Sequence, residues 1–294
     1  MTLLYGIKQR WNHPLLLAAW LNLRLQKIFK SGFDAQSSAA DNKLALDVVI
    51  PTAGKDFNVL QACVKSLENV RQKVNKVFIV AKQDEAITGF CRQNGLQFVD
   101  ETLVLGYGKE RIGNYWVEKW DRSGWVLQQL IKLSADKFVT TENYLVVDSD
   151  TIMLRPISFF KNQKPIHYLS EEWQPEYFKS FEKMFGYKSA SRLSFVSHMM
   201  VFNCEKLQQM KKEIEDRNGK AWDEVFLSCV DKSKMSPVSE YETYGNWLLK
   251  NFPGYQIFQP LYNRAMSTKS FTDYQDLKKK YSSKYQTVSF HSYL

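Results

Sequence analysis

The sequence predicts an α/β fold: a mixed, mainly parallel sheet flanked by helices. Three observations carry that reading. A strand, a helix and a second strand fit within residues 46–81, an apolar run at 143–147 ends on two aspartates, and helical and extended patterns alternate through the remainder without a second linker.

Taken in order, residues 3–29 set Leu, Ile, Trp and Phe between cations, as an interfacial amphipathic helix broken near Pro14 would. Lys8, Arg10, Arg24, Lys27 and Lys30 give residues 1–33 a charge of +5 with no acid. Such a segment suits peripheral contact with an anionic membrane; it equally suits packing on the body with its cations solvated. Residues 31–42 are small and polar and read as a linker, so the expected organisation is a basic N-terminal segment and linker at 1–42 and one domain at 43–294. Within that domain, Leu46–Thr52 is a β-branched strand stopped by Pro51, followed by a helical pattern over Asn58–Val70 and a strand at Lys76–Ala81. A third strand, Leu96–Asp100, follows the Asn94-Gly95 turn; Trp125–Leu133 is helical and Asn143–Asp148 is a strongly apolar strand. The second half alternates strands (Ile166–Ser170, Ser194–Asn203) with helices (Glu205–Arg217, Trp222–Cys229, Tyr244–Lys250), an antiparallel extension of the same body.

Composition excludes several classes. With 294 residues, 44% hydrophobic and 24% charged, the chain is neither disordered nor fibrous. The net charge of +9 leaves only +4 outside residues 1–33, and no zinc-finger, helix-turn-helix or RNP signature is present, so nucleic acid is not an expected partner. Cys63, Cys91, Cys204 and Cys229 lie 28, 113 and 25 residues apart, which fits neither a redox pair nor zinc ligation and reads as buried free thiols in a reducing compartment. The apolar run Leu15–Leu21 falls short of the ~18 residues a membrane span needs. Ser37-Ser38-Ala39-Ala40 is a poor secretory cleavage site, so the expected location is cytoplasmic, with peripheral contact at the inner face of the cytoplasmic membrane.

The stretch richest in chemistry is Leu145–Pro156. Asp148 and Asp150, one residue apart at the end of a buried strand, can present oxygens to a hard divalent cation that keeps positions open for phosphate. The alternative is a turn in which either aspartate caps the next helix. Cations that could offset a departing diphosphate are Lys55 after the first strand, Arg111, and Lys132 on the helix before the apolar strand.

Val147-Asp148-Ser149-Asp150-Thr151 resembles the DxD motif of GT-A-fold nucleotide-sugar glycosyltransferases. Asp47–Thr52 resembles their first strand, and Gly124–Leu133, with its Gln128-Gln129 pair, resembles the helix preceding their DxD strand. Together with Ser239–Asn246 these segments are similar to a poorly characterised bacterial glycosyltransferase-like family associated with surface polysaccharides. The resemblance spans about residues 45–265. It implies a GT-A-like (Rossmann-like) body, Mn²⁺ or Mg²⁺ on Asp148 and Asp150, and a hexosyltransferase-type reaction. The donor is then a nucleotide diphosphate sugar, UDP-sugars first. The acceptor is a glycan or lipid-linked molecule in surface polysaccharide or lipopolysaccharide biosynthesis. On that reading Pro51, Thr52, Lys55, Arg111, Gln129, Lys132 and Ser149 line the donor site.

His291, in Val288–Ser292, is offered as a third metal ligand, since a GT-A metal often takes a histidine near the carboxyl end and imidazole suits manganese. It also reads as a surface histidine. His198 reads as an acceptor-sugar contact or as a core histidine; His13 and His167 have no comparable setting. Among the carboxylates, Glu240 is the first choice for an acceptor or base role and Glu242 the second, ahead of Glu171 and Glu172. Glu240 can also serve, with Ser239, as a helix N-terminal group. Trp173, Tyr177, Trp222, Tyr241, Tyr244 and Trp247 suit either sugar stacking or the core.

Competing readings remain. A haloacid-dehalogenase-like phosphatase also places DxD after an apolar strand, but Ile152 stands where that family has Thr or Val. Gly106–Arg111 lacks the spacing of a dinucleotide fingerprint and reads as a loop that could close over a donor. A non-catalytic carbohydrate-binding or scaffold protein is the third alternative.

Overall fold

The computed structural model describes residues 3–11, 14–29 and 37–292. Five strands form the central sheet in the order Met199–Asn203, Asn143–Val147, Ala45–Pro51, Lys73–Ala81, Gln97–Asp100. Four are parallel; Met199–Asn203 lies antiparallel against Asn143–Val147 at one edge. This is the α/β architecture the sequence predicts, but of the two strands expected to extend it only Met199–Asn203 joins the central sheet; Lys164–Leu169 lies in a separate small sheet, parallel to Ile257–Pro260 and antiparallel to Phe160–Lys161.

These strands are apolar on both faces because both faces are covered. Alternation along the strand sends Val49, Val146 and Met200 to one side, where they pack with Leu127, Leu130 and Phe226. Val48, Leu145 and Val147 point the other way, against Leu60, Cys63 and Phe159. The first cluster includes the helix Ser123–Leu133 and the second the helix Phe57–Ser66. A small sheet of Asn263–Ser267, Thr287–His291 and Thr151–Met153 closes over Val59 and Ala62 of that second helix through Ile152, Val288 and Phe290.

Among the helices the sequence pattern does not announce are Glu85–Gln93, Pro175–Phe185 and Tyr274–Tyr281, although each carries a start signal. The Asp84 side chain accepts from the Ile87 N–H, and Pro175 occupies the first turn. A further helix begins earlier than the Tyr244 start that its pattern predicts. It spans Glu240–Asn251 because the Ser239 hydroxyl caps it, accepting from the Glu242 N–H.

The N-terminal segment is helical on either side of the predicted break, as α1 (Leu3–Arg10) and α2 (Pro14–Ile28); His13 lies outside the described residues. Trp20 and Leu23 are buried, and a Cβ at Gly6 would collide with the Trp20 indole, so the small residue permits the two helices to meet. Of the stretch read as a linker, residues 31–36 lie outside the described residues. Its end forms the short helix Ala39–Lys43, and Asp41 there accepts backbone N–H groups of Asn162 (3.1 Å) and Gln163 (2.7 Å) on the body. Among the described residues no helix is long and apolar enough to cross a membrane.

Candidate active site

In an open parallel sheet, ligands bind outside the carboxyl ends of the strands where the strand order reverses. Here that point lies between Ala45–Pro51 and Asn143–Val147, since the chain moves outward from the first strand in one direction and returns on its other side. A cleft of about 600 Å³ opens there. Pro51, Thr52, Lys55, Gln129, Lys132, Asp148, Ser149, Asp150, His198, Glu240 and His291 all line it, so residues scattered over 240 positions of sequence converge on one site. Arg111 and Glu242, selected from the sequence as donor-site and acceptor-side residues, do not line it. Arg111 is exposed, pairs with Glu224 (3.1 Å) and stacks on Tyr107. Glu242 is buried behind the wall, where its carboxylate accepts from Ser194 Oγ (2.6 Å), Phe195 N (3.0 Å) and Asn246 Nδ2 (3.0 Å). Burial raises its pKa to about 7.

Asp148 ends its strand fully engaged. Oδ1 accepts from Lys132 Nζ (2.5 Å) and Tyr241 OH (2.9 Å), and Oδ2 lies 3.2 Å from His198 Nδ1. Burial alone would raise this carboxyl, but Lys132 and His198 outweigh it and hold it well below the usual carboxylate range. Lys132 is buried and also reaches Glu240 Oε1 at 2.6 Å; burial disfavours its charge, and the two carboxylates more than restore it. Gln129, one turn earlier on the same helix, accepts the Glu240 N–H through Oε1 (3.2 Å). Glu240 Oε2 is buried and has no hydrogen-bond partner among the described residues.

Asp150 differs from Asp148. No ammonium or guanidinium pairs with it among the described residues, and His291 Nδ1 stands 3.8 Å from Oδ2. Burial first, and the neighbouring Asp148 charge second, push its pKa up to about 7. His291 arrives by register: Ser289 pairs with Thr151, which brings the end of its strand to the Asp148-Ser149-Asp150 turn, and Phe290 N donates to Asp150 O (2.9 Å). His198 comes from the other side, with φ at +62° and its ring centroid 5.3 Å from that of His291. A left-handed backbone on a residue other than glycine is strained, and strain of this kind clusters at functional sites.

Among the described residues, no group of three His, Cys, Asp or Glu side chains is already gathered as a formed metal centre. The chemistry of Asp150 nevertheless fits a divalent cation, because a half-buried carboxylate pushed to about 7, by desolvation first and by the Asp148 charge second, is short of positive charge.

The cleft also holds residues that pattern did not single out. Lys82, Lys109 and Arg122 add cations to its wall, and Trp120 and Trp125 add rings, Arg122 stacking on Trp125 at 4.3 Å. Lys109 lies in the same Gly106–Arg111 loop as Arg111, and only the fold decides which of the two faces inward. Glu172 lines the cleft as well; its Oε1 accepts from Tyr177 OH (3.3 Å), and burial raises its pKa despite the nearby His198. Glu171, its neighbour, turns outward to Arg24 and Lys27. Of the six aromatic candidates, Tyr177 and Tyr241 line the cleft, Trp222, Tyr244 and Trp247 belong to the core, and Trp173 does not line the cleft but packs on Phe178.

Residues 43–289 match the model of a family of unknown function, DUF6492. The chain belongs to that family. No curated protein matches this DUF6492 chain. Among solved structures it is similar to the apo form of mouse xyloside xylosyltransferase 1, at 11% identity over 85% of this chain and 99% of that one, with a TM-score of 0.43. It is also similar to the galactosyltransferase LgtC in complex with donor and acceptor sugar analogues, at 11% identity over 83% of this chain and 87% of that one, with a TM-score of 0.45.

Proposed function

We propose that this chain is a GT-A-type glycosyltransferase that takes a nucleotide diphosphate sugar, a UDP-sugar in the first instance, and passes the sugar to a glycan or lipid-linked acceptor of surface polysaccharide or lipopolysaccharide biosynthesis. The observation that supports it most is the asymmetric aspartate pair at the sheet's switch point: Asp148 saturated by Lys132, Tyr241 and His198, and Asp150 with an uncompensated charge, in a cleft whose lining carries eight carboxylates against five lysines and arginines. On this reading Asp148, Asp150 and His291 hold Mn²⁺ or Mg²⁺. When bound, the metal supplies neutralising charge to the departing diphosphate.

The protein's own groups do the rest. Lys55, Lys82, Lys109 and Arg122 draw the phosphates into the cleft, and the backbone after Pro51 and Thr52 carries the nucleotide. The unpartnered Glu240 Oε2 accepts a hydroxyl of a bound sugar, which satisfies an atom otherwise buried without a hydrogen bond. Lys132 fixes the carboxylates of Asp148 and Glu240 relative to one another, so that donor and sugar are read by one rigid unit. His198 faces the acceptor side with Glu172, and Glu242 acts from behind by holding the Ser194–Phe195 turn.

The test is incubation with a panel of nucleotide sugars, reading release of the nucleoside diphosphate with Mn²⁺ and with chelator. Metal-dependent release from one donor supports the proposal. Absence of release or transfer from every donor, with folded protein and a mixed glycan acceptor present, would overturn it.

A further inference from the structure

Ten large apolar side chains are exposed among the described residues, and seven of them, Leu4, Trp11, Leu15, Leu21, Leu25, Ile28 and Phe29, lie in the first 29 positions. Leu21, Leu25 and Ile28 follow i, i+4, i+7 spacing, a stripe on α2 facing away from buried Leu23. The inner side of the helix pair is fixed. Arg24 Nε and Lys27 Nζ reach the two oxygens of Glu171 at 2.8 and 3.2 Å, Arg10 Nη2 donates to the Glu171 carbonyl at 3.2 Å, and Tyr262 OH donates to Gln26 O at 3.0 Å. A surface helix normally presents polar groups to water; α2 is apolar outward as well as inward, which requires a covering partner. Charge selects that partner. No acid occurs in residues 1–33, and while Arg10, Arg24 and Lys27 turn inward to Glu171, exposed Lys8 shares the outer side with the apolar stripe, a combination that suits an anionic lipid surface.

The docked pair is tied to the site. Glu171, which receives the three cations, is adjacent in the chain to Glu172, whose side chain lines the cleft, and Trp173, the next residue, carries Arg10 over its ring at 5.6 Å. We infer that the outer face of α1 and α2 seats on an anionic bilayer and that the acceptor enters the cleft from that bilayer past Glu171–Trp173, so that the acceptor is an amphiphile presented by the membrane. The acceptor half of this inference rests on the proposed sugar transfer; the docking half does not.

The experiment uses the full chain with vesicles of phosphatidylcholine alone or with 30% phosphatidylglycerol, and a carbene-generating lipid photoprobe whose adducts are mapped by mass spectrometry. Flotation with the anionic vesicles, reduced at least tenfold by L25D/I28D, together with adducts both in 14–29 and in 171–178, is the expected result. The two substitutions are at exposed positions, so the variant keeps its unfolding temperature and any stabilisation by nucleotide and metal. That second readout separates the failures: loss of the nucleotide response in wild-type protein removes the proposed function and leaves docking standing. Failure of wild-type protein to float at low salt would overturn docking, as would a self-associated species in sedimentation velocity abolished by L25D/I28D, which would make a second copy the cover. Adducts confined to 14–29 would overturn the acceptor route.

Discussion

Lys132 Nζ and Asp148 Oδ1 stand 2.5 Å apart in the floor of the cleft, and the same ammonium lies 2.6 Å from Glu240. One buried cation therefore neutralises two carboxylates contributed by distant parts of the chain. Removing it as Lys132→Met leaves both charges buried without a counter-ion, which costs about 3–5 kcal/mol. In urea unfolding, K132M in an E240Q background should lose less than K132M alone, because one of the stranded charges has already been removed. A loss below ~1 kcal/mol for K132M would show that water reaches these carboxylates and that the unit is not rigid.

Asp150 should be a site kept at the expense of stability. Its carboxyl ionises near 7 in the fold, above the ordinary aspartate value near 4, so the folded state loses stability as pH rises from about 4 to 7 and stays at that lower level above 7. At pH 8 with chelator present, Asp150→Asn should therefore raise the unfolding free energy by ~1 kcal/mol or more. A less stable D150N under those conditions would mean that Asp150 is already compensated.

His167 offers a pH test away from the site. It is buried, its Nε2–H donates to Val201 O at 3.2 Å, and burial depresses its pKa to about 4. Between about 6.5 and 4 the unfolded chain binds the proton and the folded chain does not, so the stabilisation is full above 6.5 and is lost as pH falls through that window, by about 3 kcal/mol in all. The wild-type minus His167→Phe difference in unfolding free energy should shrink by about 2 kcal/mol from pH 7.5 to pH 5. A difference that does not change with pH would place the imidazole in contact with water.

Two glycines predict opposite signs. A Cβ at Gly245, inside Glu240–Asn251, would stand 2.6 Å from the buried Phe195 ring, so Gly245→Ala should destabilise by about 1–3 kcal/mol. Gly89, inside Glu85–Gln93, has nothing within 4 Å of that position, and Gly89→Ala should stabilise by about 0.5–1 kcal/mol. Thermal unfolding of the two variants checks both, and equal shifts would contradict the packing described for Phe195.

Local pattern made the floor of the site readable. The apolar run Asn143–Val147 and the aspartates that leave it, the β-branched strand stopped at Pro51, and the Ser239 cap before Glu240 each announce themselves over a few residues. What local pattern could not resolve is set by pairing across the chain. The register of Thr287–His291 against Thr151–Met153 alone brings His291 to Asp150. Arg111 and Lys109 are two residues apart in similar surroundings, yet Arg111 turns to Glu224 and Lys109 to the cleft. Glu171 and Glu172 divide in the same way, one to Arg24 and Lys27 and the other to the cleft, because adjacent side chains in an irregular segment face opposite sides. Glu242 looked like a site carboxylate through nearby Glu240; two helical positions, about 200° around the axis, turned it to Ser194.

The most direct measurement is thermal unfolding of wild-type protein and Asp150→Asn against UDP, GDP, CDP and ADP, each with and without Mn²⁺. A nucleotide at 100 times its dissociation constant should add about 2.7 kcal/mol, roughly 5 °C or more. The account predicts that shift for one nucleotide, only with Mn²⁺, and not in D150N. No shift with any nucleotide at saturating concentration, or a full shift that survives D150N, would contradict the assignment of Asp148 and Asp150 to a metal-diphosphate site.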